Sequence, residues 1–152
     1  MIRRATHNDL DVCVELAIEF FKPFLFNHGV PVIVQDVKNI AEMSILAGQV
    51  LVVEHDKKVQ GLTAWAVVPH PANHNIKIFY ETIWCVKSRF KTDTLLLMRA
   101  LEREALKADI LIMANLSNEN ETQMKRILTK RGFTFLESHY NKQMSGVHSC
   151  RG

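Results

Sequence analysis

The chain has 152 residues, of which 47% are hydrophobic and 23% are charged, and its formal net charge is +3. These values are typical of one soluble globular domain, and they exclude a low-complexity chain and a densely basic nucleic-acid-binding protein. The cysteines Cys13, Cys85 and Cys150 are widely spaced and fit neither a disulfide framework nor a zinc motif. No apolar segment follows the basic N-terminal residues, so we predict no signal peptide, no membrane contact and a cytoplasmic location.

Hydrophobic periodicity, capping residues and turn residues predict the elements. Asp9 follows Thr6 at capping-box spacing and should start a helix, which should end before Pro23 because the residue before proline disfavours helical geometry. In chain order, we predict a strand at 2–5, a helix from the capping box, a helix over 37–46, a hairpin of strands 50–53 and 59–68, a loop at 70–75, a strand at 76–86, a helix over 95–106, a strand at 110–113, a helix over 121–130 and short strands at 133–136 and 139–144.

Residues 80–105 predict a buried strand, a basic turn rich in hydroxyl groups and an amphipathic helix. The N-terminus of a helix presents unpaired backbone N–H groups and the positive end of its dipole. A strand that leads into a helix through a tight turn can therefore hold an anion. Because Arg89 and Lys91 add positive charge to this turn, a small ligand that carries phosphate is the predicted partner.

The order β-α-α-β-β-β-α-β-α-β-β resembles that of the GNAT superfamily of acyl-coenzyme A dependent N-acyltransferases. Local signs of this resemblance are IRRAT at residues 2–6, Gly61 after the hairpin turn, the segment 80–105 and KRGF at residues 130–133. The segment 132–142 is similar, more narrowly, to small phage-encoded members, which would place the protein in the host cytoplasm. The resemblance implies a single α/β (α+β) domain over residues 1–144, with a mixed, mostly antiparallel sheet flanked by helices, and a flexible tail over residues 145–152.

The resemblance also implies that acetyl-CoA is the co-substrate and lies between strands 76–86 and 110–114. No metal is implied. The residues that the resemblance assigns to coenzyme binding are Trp84, Cys85 and Val86 for the acyl carbonyl and the pantetheine arm, Arg89, Phe90, Lys91, Thr92, Asp93 and Thr94 for the pyrophosphate, and Asn115 and Asn120 for a polar contact to the arm. Helix capping by Asn118 or Asn120 explains the asparagines equally well.

The pyrophosphate segment departs from the family pattern R/Q-x-x-G-x-G/A, because every glycine is missing. Glycine lets the backbone approach a phosphate closely, whereas Thr92 and Thr94 each add a branched Cβ. Asp93 is unfavourable beside a pyrophosphate, although it is favourable at an empty helix N-terminus. Whether acyl-CoA binding is retained therefore stays open at this level.

Direct acylation of an amine needs a base for the amine proton and an acid for the leaving thiolate. Glu81 resembles the strand glutamate that serves as base in GNAT enzymes, and its alternative role is that of a solvated or salt-bridged strand carboxylate. The family acid, a tyrosine four residues before Gly-Phe, is replaced by Leu128. Tyr140 is the substitute acid that we predict, with half-buried packing as its alternative.

Other chemistry-bearing residues have simpler explanations. Cys85 has no histidine or aspartate beside it in sequence and is best explained as a buried apolar side chain rather than a nucleophile. His70 and His74 could bind a metal ion only with a further carboxylate or thiolate, which the sequence around them does not supply.

Two other functions compete with N-acetyl transfer to a small-molecule or protein amine. The missing glycines and Leu128 favour a catalytically inactive GNAT-like protein that binds another protein or is packed in a virion. Basic residues on helices 94–107 and 121–131 suggest nucleic-acid binding, but glutamates interrupt their charge. The segment 133–144 could form the edge of a homodimer. The acceptor cannot be identified from the sequence.

Overall fold

The computed structural model describes residues 1–26, 31–87, 91–114 and 121–136. The chain divides into two compact units, Met1–Ile112 and Met113–Gly152. The strands are β1 (Ile2–Arg4), β2 (Val50–His55), β3 (Lys58–His70), β4 (Asn73–Val86) and β5 (Ile110–Ile112), and the helices are α1 (Leu10–Phe26), α2 (Val34–Leu46), α3 (Lys91–Ala105) and α4 (Glu121–Lys130). The predicted order is confirmed as far as α4.

The first unit contains a five-stranded sheet in the order β1-β2-β3-β4-β5. Neighbouring strands are antiparallel except β4 and β5, which are parallel and are connected through α3. Parallel neighbours need such a crossover, whereas the antiparallel pair β2 and β3 needs only a tight turn. Asp56 and Lys57 form this turn with φ of 49° and 60°, the left-handed values that a two-residue hairpin turn uses. The predicted mixed, mostly antiparallel sheet is confirmed.

Helices α1 and α2 cover one face of the sheet. The helices contribute apolar side chains at helical spacing, and β2 and β3 contribute every second residue except between Val59 and Leu62, where an irregularity shifts the register. The residues that form this core are Ala5, Leu10, Cys13, Val14, Leu16, Ile45, Val50, Val52, Val59, Leu62 and Ala64. The opposite face of β2 carries Leu51 and Val53, which are also buried.

Helix α3 contacts β1, β2, β4 and β5. Its buried residues Leu97, Met98 and Leu101 are fully shielded from solvent, whereas Leu96 is 49% exposed. This spacing is that of an amphipathic helix with one apolar stripe. The stripe holds α3 against the sheet and so fixes where the helix begins relative to the ends of the strands.

The predicted capping box is present at the entrance to α1. The Asp9 carboxylate accepts hydrogen bonds from the Thr6 backbone N–H at 2.8 Å and from the Thr6 hydroxyl at 2.9 Å. Arg3 donates to both oxygens of Asp9 at 2.8 and 2.9 Å and to Glu54 at 2.6 Å. This bonding by Arg3 is the main reason why the pKa of Asp9 falls to about 2.

Several predicted boundaries are wrong. Helix α1 continues through Pro23 to Phe26, since proline has a helical φ and costs the helix one hydrogen bond and some crowding, which the rest of a 17-residue helix can offset. The predicted loop at 70–75 is a turn at Pro71 and Ala72, because β3 and β4 extend to His70 and from Asn73. β5 ends at Ile112, and Ile110 is 40% exposed, so this strand is not covered on both faces.

In the second unit, α4 ends where the glycine pattern predicts. Gly132 has a φ of 87°, and the N–H of Phe133 donates to the carbonyl of Leu128 at 3.1 Å. This is the left-handed closure that glycine allows at a helix C-terminus. Residues 133–136 form no strand, contrary to prediction, and the predicted strand at 139–144 lies outside the described residues.

In the described part of the chain, no helix is both long enough and apolar enough to cross a membrane.

Candidate functional site

The central feature of the candidate site is the point where the pairing between β4 and β5 ends. The two strands are paired over three residues each, from Ile78 with Ile110 to Tyr80 with Ile112. β4 then continues for six more residues to Val86, beyond the last residue of β5. The pairing of β4 with β5 therefore ends at Tyr80, which is where the predicted cleft would begin.

An irregularity in β4 occurs directly after this point. Ala64 of β3 pairs with Ile83, but the next β3 residue, Trp65, pairs with Glu81, so Thr82 is an extra residue on β4. Such a bulge redirects side chains and increases local twist, and bulges are frequent beside active sites. Here the bulge lies between the predicted base and the predicted coenzyme-binding segment.

Glu81 is a buried carboxylate on the central strand, with only 3% of its surface exposed. Its strand partner Trp65 is 5% exposed and stacks on Phe79 with ring centroids 5.1 Å apart. The predicted base is thus held beside an aromatic pair rather than on a solvated strand edge. A solvated carboxylate, one alternative for this residue, is wrong.

The predicted coenzyme-binding residues Trp84, Cys85 and Val86 follow the bulge, and all three are half-buried. They pair with Thr63, Leu62 and Gly61 of β3, respectively. Burial raises the pKa of the Cys85 thiol, and it raises that of the Cys13 thiol in the core to about 12. A raised pKa leaves little thiolate near neutral pH, which argues against a nucleophilic Cys85.

Helix α3 begins at Lys91, four residues before the apolar pattern that predicts it. Thr92, Asp93 and Thr94 therefore lie in the first helical turn and not in a preceding loop. Thr92 is exposed, Thr94 is half-buried and Asp93 is only 6% exposed. An acidic residue in the first turn suits the helix dipole.

The Asp93 carboxylate is hydrogen-bonded to His55, the last residue of β2. His55 Nε2 and Asp93 Oδ2 are 2.5 Å apart, and the two side chains are 37% and 9% exposed. We assign the N–H of this contact to Nε2, because a carboxylate accepts hydrogen bonds. This contact brings the β2–β3 hairpin to the start of α3.

No motif in the sequence predicts His55 as a residue of the site. His55 lies directly before the Asp56-Lys57 turn of the predicted hairpin. The neighbouring residues do not indicate which helix this hairpin contacts. The pairing of Trp65 with Glu81 is not predictable from the sequence either, because the bulge at Thr82 shifts the strand register by one residue.

Several predicted site residues lie outside the described residues: Arg89, Phe90, Asn115, Asn120 and Tyr140. For Lys91 the backbone alone is described, as the first residue of α3. Within the described ranges, no three side chains of histidine, cysteine, aspartate or glutamate cluster as metal ligands would.

No protein-family model matches the chain, and no curated protein matches it significantly. Solved structures do. One, described as a probable acetyltransferase, has a TM-score of 0.71 at 13% identity, with 96% of this chain and 99% of that one covered. Another, described as a predicted acetyltransferase with acetyl-CoA from Clostridium acetobutylicum, has a TM-score of 0.67 at 16% identity, with 93% of this chain and 94% of that one covered.

A third similar structure is the ribosomal-protein-alanine N-acetyltransferase of Brucella melitensis biovar Abortus, with a TM-score of 0.65 at 13% identity and 95% and 99% of the two chains covered. At sequence identities this low, the similarity shows only that the chains share a fold. The predicted fold class is confirmed, since the mixed sheet flanked by helices matches that of GNAT acetyltransferases.

Proposed function

We propose that the protein is an N-acetyltransferase that transfers an acetyl group from acetyl-CoA to an amine. The observation that carries the proposal is the end of the pairing between β4 and β5 at Tyr80, with a buried carboxylate, a bulge and a half-buried strand segment directly beyond it. A thioester arm needs an open strand edge at such a point, and the GNAT fold of the chain provides the general setting.

In this proposal the backbone of Trp84, Cys85 and Val86 holds the pantetheine arm and the acyl carbonyl. Fixed N–H donors next to the carbonyl would stabilise the negative charge that develops on its oxygen when the amine attacks. The pyrophosphate would lie at the start of α3, where Thr92 and Thr94 offer hydroxyl donors in place of the absent glycines.

Glu81 is the proposed base. The amine nitrogen attacks the thioester carbon and loses a proton to Glu81, through a bridging water, as the carbon–sulfur bond breaks. The sulfur leaves with the bonding electrons and takes up a proton, giving free coenzyme A and the amide. Tyr140 is the proposed donor of that proton, and the acceptor is a small-molecule or protein amine.

The first turn of α3 favours a second candidate, an inactive GNAT-like protein that binds a protein partner. Asp93 occupies the helix start as a buried carboxylate, and Thr92 and Thr94 carry branched side chains beside it. Such a turn approaches a pyrophosphate less closely than glycine would. Coenzyme binding and acetyl transfer, measured together, decide between the two functions.

The test is titration of the purified protein with acetyl-CoA, followed by calorimetry and by thermal unfolding. A ligand at 100 times its Kd should stabilise the native state by about 2.7 kcal/mol. ATP is the matched control ligand, since it carries adenine and phosphates but no thioester arm. Binding of acetyl-CoA with release of free thiol in the presence of an amine supports the enzyme.

Two results would contradict the proposal. Absence of binding at about 1 mM acetyl-CoA, far above usual coenzyme affinities, rejects both coenzyme use and catalysis. Tight binding without transfer to any member of a panel of small amines and N-terminal peptides would instead favour the inactive, partner-binding protein.

A further inference from the structure

The pair formed by His55 and Asp93 connects two elements that are far apart in sequence. His55 ends β2, Asp93 lies in the first turn of α3, and the residues are 38 positions apart. The distance of 2.5 Å between Nε2 and Oδ2 is short even for a charge-assisted hydrogen bond. The hairpin therefore holds a specific side chain at the start of the helix.

Asp93 creates an electrostatic problem for the function proposed above. A carboxylate in the first turn lowers the positive potential that a helix N-terminus offers to a phosphate, and like charges repel over this distance. The Asp93 side chain is 9% exposed, so it is turned inward rather than toward solvent. The group that bonds it from another element is His55.

Resting on that proposed function, we infer that His55 is a positioning residue for the coenzyme. By donating Nε2–H to Asp93, it keeps the carboxylate buried and screens its charge, so the remaining N–H groups and hydroxyls of the turn can accept a pyrophosphate. The pair takes over part of the role that glycines have in the family pattern. His55 acts through Asp93 and does not touch the coenzyme itself.

The alternative is that the His55–Asp93 pair only stabilises the contact between the hairpin and the helix, and this alternative leads to a different prediction. If the pair only stabilises the fold, loss of either partner should have similar consequences for coenzyme binding. If His55 restrains a harmful charge, the two single substitutions should have opposite effects, because removal of Asp93 also removes the problem. The signs of the changes in Kd therefore separate the two roles.

The experiment is a double-mutant cycle with His55→Gln, Asp93→Asn and the double variant, read as the Kd of acetyl-CoA by calorimetry at low ionic strength. We expect His55→Gln to weaken binding about tenfold or more and Asp93→Asn to tighten it. Adding His55→Gln to Asp93→Asn should change the Kd by less than about threefold. Thermal unfolding without ligand checks that each variant is folded.

His7→Gln is the matched control. His7 also faces a carboxylate, that of Glu42 on α2, at 4.0 Å, and its side chain is 70% exposed. This substitution should leave the Kd of acetyl-CoA unchanged. A second comparison uses acetyl-pantetheine, which lacks the pyrophosphate and should bind the unchanged protein and His55→Gln equally.

Four outcomes overturn the inference. Equal weakening by His55→Gln in the presence and in the absence of Asp93 would show that the histidine acts independently of the carboxylate. If Asp93→Asn weakened acetyl-CoA binding as much as His55→Gln does, the pair would have only a structural role. If the unchanged protein does not bind acetyl-CoA, the proposed function and this inference both fail, whereas binding that His55→Gln does not weaken rejects the inference alone.

Discussion

The backbone of Gly61 packs directly against the backbone of Cys85 on the adjacent strand. A side-chain carbon at Gly61 would lie 2.6 Å from the carbonyl oxygen of Cys85 and 2.9 Å from the Cα of Val86. Contacts this short are not tolerated between backbone and side-chain atoms. Only glycine allows β3 to approach the segment of β4 to which we assign the coenzyme arm.

Replacing Gly61 by alanine should therefore displace this part of β4. We expect a loss of about 1–3 kcal/mol in the free energy of unfolding, as for other overpacked sites, together with weaker acetyl-CoA binding. Urea unfolding and calorimetry measure the two effects. Gly132→Ala is the control, because a Cβ there meets nothing within 4 Å. Its only expected loss of stability comes from placing alanine at a φ of 87°. Unchanged coenzyme binding by Gly61→Ala would contradict the assignment.

Glu81→Gln should reduce kcat about 10²–10⁴-fold, the usual contribution of a general base, with little change in the Kd of acetyl-CoA. The amide has nearly the same shape as the carboxylate but cannot accept the amine proton. The rate at which free thiol is released from acetyl-CoA provides the measurement of kcat. Glu42→Gln on α2 is the control and should be fully active. A fully active Glu81→Gln protein would leave Glu81 with a structural role only.

Asp9 should make the protein sensitive to acid. Its pKa falls from the ordinary 3.8 to about 2 in the folded protein, so its stabilising effect is complete above about pH 4 and is lost as the pH falls toward 2. Asp9→Asn should lower the free energy of unfolding by about 2 kcal/mol at about pH 7 and by much less at about pH 2.

Urea unfolding at both pH values tests this dependence. Asp11→Asn is the matched control, because Asp11 is 89% exposed and pairs loosely with Lys38 at 3.6 Å. It should change stability little at either pH. An equal loss by Asp9→Asn at both pH values would show that the hydrogen bonds to Thr6, rather than the charge on Asp9, provide the stability.

The two described cysteines should differ in reactivity toward iodoacetamide. Cys13 is 3% exposed with a pKa of about 12, whereas Cys85 is half-buried, so Cys85 should react faster, although more slowly than a free thiol. Mass spectrometry of a Cys150→Ser variant would measure both rates. Acetyl-CoA should protect Cys85 and not Cys13, and equal protection would place the ligand elsewhere.

The packing of α3 on the sheet gives a stability prediction. Leu101 is fully buried, so Leu101→Ala should cost about 2–5 kcal/mol through lost contacts and the remaining cavity. Leu106 lies just after the same helix and is 82% exposed, so Leu106→Ala should stay within about 0.5 kcal/mol of the unchanged protein. Equal values for the two substitutions would contradict the described orientation of α3.

Local signals in the sequence predicted most elements of the fold. Thr6 and Asp9 identified the entrance to α1, and Gly132 identified the end of α4, because caps depend on residues only a few positions apart. The same local logic was wrong at Pro23, where the cost of one lost hydrogen bond is offset by the rest of the helix. It was also wrong for residues 133–136, which form no strand.

By itself, the sequence determined the order of the elements and the types of residue along the segment from β4 to α3, because periodicity, caps and turns act over short distances. The tertiary structure decided which of these residues meet. The bulge at Thr82 places Glu81 opposite Trp65, and the packing of α3 on the sheet brings Asp93 to His55. Such contacts depend on strand register and helix position, which result from the packing of the whole core and which no local pattern encodes.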